Sequence, residues 1–186
     1  HKKYPNIEIT IITGSTANLI NLLDTHKVDF VIDTSPIDVM LDSGMKVVKL
    51  KEVQYCFIVK KDTELLNISD INSIVDLKKY PLILPIPNTA NRNDLDILLQ
   101  KNNVELKNVI NIHTSEMIIS AVKKDLGIGY VIHNLVENEI KNSEIEVLNI
   151  KEKLPTVGIN IIYDNRFLTK APTKFIEDYI DYNLDL

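Results

Sequence analysis

The chain has 186 residues, room for one ordinary domain or two small ones, and its 45% hydrophobic and 25% charged content excludes a disordered or fibrous protein. A net charge of −5, with Lys and Asp/Glu interspersed, is the wrong sign for this segment to hold a nucleic-acid backbone unaided, and no apolar run approaches the roughly 18 residues of a membrane span. The single cysteine, Cys56, excludes an internal disulfide framework; inside Tyr55-Cys-Phe-Ile-Val59 it reads as a core residue in a reduced, cytoplasmic setting.

His1-Lys-Lys-Tyr-Pro opens without methionine or signal peptide and runs straight into an apolar stretch, as a piece of a longer chain does. A first strand is expected over 7–13, followed by Gly14-Ser15-Thr16 and a Leu-rich helix over 16–26. A second strand over 28–33 leads through Thr34-Ser35-Pro36 into a short helix over 37–42, and a third strand is expected over 53–60. After the polar Lys60-Lys-Asp-Thr-Glu stretch come a helix over 69–78, a Pro-framed strand over 82–86 and a helix over 91–102. The remainder alternates: strands over 109–113, 128–132, 145–150 and 157–163, and helices over 115–125, 133–141 and 172–182. Short apolar, β-branched runs separated by helices predict an α/β fold with a mostly parallel, buried sheet. The polar connection after residue 60 and the long strand near 157–163 could both be crossings between two lobes, with one lobe inserted in the other; a single sheet is the alternative.

Four strand-to-helix junctions share one chemistry. Ser15 and Thr16, Thr34 and Ser35, Asn88 and Thr89, and Thr114 after His113 all stand where a strand ends and a helix begins. In open α/β sheets ligands lie outside the carboxyl ends of the strands, where helix N-termini offer unpaired N–H groups and a positive dipole end. Neutral hydroxyls and amides there suit a small anion or polar metabolite. The plainer reading is that Ser, Thr and Asn are ordinary N-caps.

With these junctions in place, the chain resembles the effector-binding domain of LysR-type transcriptional regulators. The resemblance rests on "YPNIEITIITGSTANLINLLDTHKVDFVI", on "HTSEMIISAVKKDLGIGYVIHNLVEN" and on the closing "PTKFIEDYI". One departure is Lys124-Asp125-Leu126-Gly127-Ile128, where the family often has AGLGI; the polar residues predict an exposed helix end with the turn intact. The resemblance implies two Rossmann-like lobes with a central cleft, as in type II periplasmic binding proteins, with lobe I at 1–61 and 162–186 and lobe II at 62–161. It also implies that a small-molecule effector binds in the cleft against Ser15, Thr16, Thr34, Ser35, Asn88, Thr89, His113 and Thr114. DNA would be bound only through an N-terminal winged helix-turn-helix outside this segment. Family members pair side by side through two helices, which implies a homodimer or tetramer with Leu19, Ile20, Leu23, Ile119 and Val122 at the interface. A broad apolar stripe on those helices is equally what burial within one subunit requires.

Catalytic chemistry finds little support. His1, His26, His113 and His133 are scattered without metal-ligand spacing, and no phosphate loop, dinucleotide fingerprint or nucleophile elbow occurs, so no metal, cofactor or enzymatic activity is expected. Asp29 and Asp33 share a strand face, but carboxylates at strand ends are commonly solvated. Arg92, one of two arginines, reads either as a carboxylate clamp beside the cleft or, more plainly, as an exposed helix residue. The main rival function is the solute-binding protein of a transporter, which uses the same lobes.

Overall fold

The structure, a computed structural model, describes residues 4–34, 44–64 and 67–184. The predicted helix over 37–42 and the candidate Ser35 lie outside the described residues. The chain divides into two compact units, residues 1–52 with 158–186, and residues 53–157.

The second unit contains the latter part of strand β2 (Met45–Lys60), followed by β3 (Leu82–Pro85), α2 (Ala90–Lys101), β4 (Val109–Ile112), α3 (Ser115–Lys123), β5 (Ile128–Ile132), α4 (Glu137–Lys141) and β6 (Ile145–Val147). Its strands run in the order β2-β5-β3-β4, with β6 on β2. β3 is parallel to both β4 and β5, but β2 is antiparallel to β5 and β6. The sheet is therefore mixed rather than mostly parallel: the βαβ crossovers make the parallel part, and the crossing strand joins it the other way.

Alternation along the strands sorts the core into two layers. Tyr55, Phe57, Val59, Leu82, Leu84, Ile128 and Tyr130 face Ile74, Leu77, Leu95 and Leu99 on one side. Cys56, Ile58, Ile83 and Val131 face Ile118 and Val122 of α3 on the other. A buried leucine such as Leu95, fully inaccessible, is worth about 2–5 kcal/mol against alanine. The helix expected over 69–78 is instead two single turns of 3₁₀ helix, Ile68–Asp70 and Asp76–Lys79. Asp76 accepts from Asn72 N and Ser73 N, and Glu152 accepts from Ser73 Oγ and Ile74 N, so side chains take up the amides that a continuous helix would have used.

The first unit holds α1 (Thr16–Asp24), β1 (Val31–Asp33), the start of β2, most of β7 (Thr156–Asp164) and α5 (Lys170–Leu184). β1 pairs antiparallel with β7. Ile20 and Leu23 of α1 cover Val31 and Ile162 on one side, and Ile176 covers Leu50 and Ile161 on the other. The strand expected over 7–13 does not form: it has no ladder partner among the described residues, and Ile9, Ile11 and Ile12 are exposed. The strand expected from 28 shortens to Val31–Asp33, while β2 begins at Met45, well before the expected start.

Candidate functional site

Within the second unit, β3 and β4 are parallel neighbours with Pro85 opposite Ile112, and Ile86 N donates to Ile112 O at 3.2 Å. The junctions leaving them therefore emerge together, at the carboxyl edge of the sheet. One is Ile86-Pro-Asn-Thr89. Asn88 takes a left-handed φ of 66°, a conformation that Asn tolerates better than most residues, and turns the chain into α2. Thr89 is the N-cap by position, but its hydroxyl donates to Ile86 O at 2.9 Å and makes no capping bond. Thr89 thus caps none of the first-turn amides of α2; the Arg92 amide donates to Asn91 Oδ1 at 3.1 Å, which leaves those of Ala90 and Asn91 at the positive dipole end for another acceptor. The other junction is His113-Thr114. Thr114 Oγ1 accepts from Met117 N at 3.3 Å and so caps α3, while His113 is exposed beside it.

Arg92 binds these two junctions together. Its Nε donates to Asp96 Oδ1 at 2.8 Å, and its Nη1 donates to Pro85 O at 2.9 Å and Asn111 Oδ1 at 2.8 Å. The side chain is only 12% exposed, which corrects the reading of Arg92 as an exposed helix residue. The reason is tertiary: at the start of α2 the side chain folds back over the ends of β3 and β4, where Pro85 O and Asn111 Oδ1 accept its N–H groups. Asn111, the strand residue that receives this bond, was not among the predicted site residues. Its signal was a lone amide in the otherwise apolar run Val109-Ile-Asn-Ile112.

In the first unit, Ser15 Oγ accepts from Asn18 N at 3.4 Å and caps α1, and Thr16, partly buried, is the first helical residue. Thr34 follows β1, half-buried, and its N–H donates to Asp33 Oδ1 at 2.6 Å. The structure thus brings Asn88, Thr89, His113 and Thr114 to one sheet edge and places Ser15, Thr16 and Thr34 in the other unit.

The predicted interface residues divide by burial. Ile20, Leu23 and Val122 are at most 5% exposed and fill the cores of their own units. Leu19 and Ile119 are half-buried, and Met117, on the same helix as Ile119, is 59% exposed. Cys56 is buried, and burial pushes its thiol up to about 12, far from a reactive thiolate. A concavity of about 180 Å³ lined by residues including Tyr55, Cys56, His133 and Glu152 contains none of the predicted site residues. Past α3, the helix end is polar as expected: Lys124 is exposed, Asp125 takes a φ of 62°, and Gly127 takes a φ of 146° with Pro81 O so close that a Cβ would lie 2.5 Å from it. No helix among the described residues is long and apolar enough to cross a membrane.

The family model of the LysR substrate binding domain matches residues 1–181. A probable RuBisCO transcriptional regulator of Phaeodactylum tricornutum is 25% identical over 180 residues, covering 95% of this chain and 58% of that protein. The HTH-type transcriptional regulator YofA of Bacillus velezensis is 19% identical over 170 residues, 91% of this chain and 55% of that one. The chain therefore spans somewhat over half the length of these curated relatives. Among solved structures, the CcmR regulatory domain of Synechocystis in complex with 2-PG superposes with a TM-score of 0.80 at 17% identity, covering 98% of this chain and 86% of that one. The effector-binding domain of QuiR in complex with shikimate gives a TM-score of 0.76 at 18% identity, with 99% and 85% covered. These likenesses establish the fold: a mixed α/β domain of the LysR effector-binding type, with the two-lobe architecture of periplasmic binding proteins.

Proposed function

The chain belongs to the LysR substrate-binding domain family, a family of effector-binding regulatory domains rather than enzymes, and on that premise we propose that it binds a small polar or anionic metabolite and thereby controls transcription. On this reading the effector-contacting residues are Ser15, Thr16, Thr34 and Ser35 of lobe I, 1–61 and 162–186, and Asn88, Thr89, His113 and Thr114 of lobe II, 62–161. The observation that carries this reading is the pairing of the α2 and α3 N-termini at the carboxyl ends of two adjacent parallel strands. Solved relatives holding 2-PG and shikimate support a small ligand of this kind.

The whole protein, on this reading, is a cytoplasmic DNA-binding regulator whose oligomer changes geometry when effector binds. An effector shifts that equilibrium only by its differential affinity for the two states. The chain pairs into a homodimer or tetramer through α1 and α3; with Ile20, Leu23 and Val122 committed to their own cores, Leu19, Ile119 and the exposed Met117 are the positions left for a second copy. A thermal-shift screen of metabolites tests the binding claim, since a ligand taken up only by the folded chain raises its melting temperature. Saturable stabilisation by a small polar or anionic compound is expected. A panel of such compounds without effect would remove the reading.

A further inference from the structure

Arg92 is placed as few surface arginines are. Its guanidinium lies over the carboxyl ends of β3 and β4, held at Nε by Asp96 and at Nη1 by Pro85 O and Asn111 Oδ1. Three bonds fix the plane of the group while its side chain stays 12% exposed. The second terminal nitrogen, Nη2, has no hydrogen-bond partner among the described residues, so two N–H donors of a pre-oriented cation remain unspent. They belong to the first turn of α2, where Asn91 Oδ1 takes the Arg92 amide and Thr89 caps neither the Ala90 nor the Asn91 amide. An oxyanion set there meets the two N–H donors of Nη2, held in one orientation, and a helix dipole of the same sign.

Resting on the effector-binding reading above, we propose that Arg92 is the residue that makes the second unit select an anionic group, a carboxylate or a phosphate, on the effector. Asp96 sets the strength of that selection. Its carboxylate lies 2.8 Å from Nε and is 38% exposed, close enough to neutralise part of the guanidinium charge and wet enough not to cancel it. The effector anion and Asp96 therefore compete for one cation. Asn111 and Pro85 O act through geometry: they hold the guanidinium plane so that Nη2 keeps one direction.

Competing anion and positioned cation make opposite predictions, which a merely structural role for Arg92 would not. The probes are inorganic phosphate and shikimate as anions, with trimethyl phosphate and shikimate methyl ester as their uncharged counterparts, each titrated calorimetrically against the folded chain. The wild-type chain is expected to bind at least one anion more tightly than its uncharged counterpart. Arg92→Met loses about tenfold or more in anion affinity, as removal of a charge-assisted bond does, with little change for the uncharged probe. Arg92→Lys keeps the charge but not the three bonds that orient it, and retains part of the preference. Asp96→Asn tightens anion binding by about threefold, the scale of a partly exposed ion pair. Melting curves without probe show whether each variant is folded, and Asp96→Asn decides the matter if Arg92→Met is not. Equal loss for charged and uncharged probes, unchanged or weaker anion binding in Asp96→Asn, or an anion preference absent from the wild-type chain each overturns the proposal. The effector-binding reading itself falls only if charged and uncharged metabolites alike fail to bind.

Discussion

Thr114 has two duties, and replacing it with valine separates them. Its Oγ1 accepts from Met117 N at 3.3 Å, which caps α3, and the same hydroxyl stands at the proposed effector site. Loss of a Thr cap costs about 0.5–2 kcal/mol; a bond at the long end of the range on an exposed residue puts Thr114→Val near 1 kcal/mol. If all 186 residues melt as one, that lowers the midpoint by about 2–4 °C; if the second unit melts alone, by about 4–8 °C. Bound effector at a hundredfold excess over its Kd adds about 2.7 kcal/mol, so the two effects differ enough to be resolved by scanning calorimetry with and without ligand. Thr114→Val is expected to melt early without ligand and also to lose part of the ligand-induced rise. Thr114→Ser, which keeps the oxygen, should hold the unliganded midpoint. An unliganded melt unchanged by valine would refute the capping argument, and a ligand-induced rise undiminished by it would remove Thr114 from the site.

The rest of the molecule supplies further tests. Gly129→Ala would put a Cβ 2.6 Å from Val122 Cγ2 and 3.0 Å from Ile118 Cγ2, both in the packed layer under α3, and should cost about 1–3 kcal/mol in denaturant titration. Tyr130 is fully buried and its hydroxyl makes no hydrogen bond among the described residues, so Tyr130→Phe should be neutral or stabilising by about 1 kcal/mol; a clear loss of stability would reveal a partner for the hydroxyl. Arg166 donates to both carboxylate oxygens of Asp164, and this hydrogen bonding outweighs burial to hold that carboxyl at about 2, down from 3.8. Because the folded value lies below the unfolded one, the pair's contribution is complete above about pH 4 and lost as pH falls toward 2. Asp164→Asn should flatten the acid limb of a stability–pH profile over that window while leaving neutral-pH binding intact.

How far the sequence carries depends on whether a feature is local or long-range. The β3-α2-β4 and β4-α3-β5 crossovers show in the residues because buried runs and amphipathic helices each have their own period. Ser15 and Thr114 were readable as caps, since a hydroxyl at a strand-to-helix boundary bonds an amide three residues on. The stretch 7–13 has strand composition but no ladder, because pairing is decided by a neighbouring edge and not by propensity. Residues 69–78 carry a helical pattern that Asp76 and, from far along the chain, Glu152 break up by taking its amides. The early part of β2 was legible after all: Met45-Lys-Val-Val-Lys-Leu-Lys51 mixes apolar residues with lysines as a half-exposed strand does. Arg92 could not be placed from sequence, because its burial depends on Asn111 of a strand nineteen residues away.

Binding at the paired helix starts is tested most directly by amide NMR of the folded chain titrated with a stabilising metabolite from the thermal screen. Saturable shifts at Asn88, Thr89 and Arg92 together with His113 and Thr114 are predicted, accompanied by shifts at Ser15, Thr16 and Thr34. A ligand that saturates while leaving the amides of residues 88–92 and 113–114 unmoved would contradict the account.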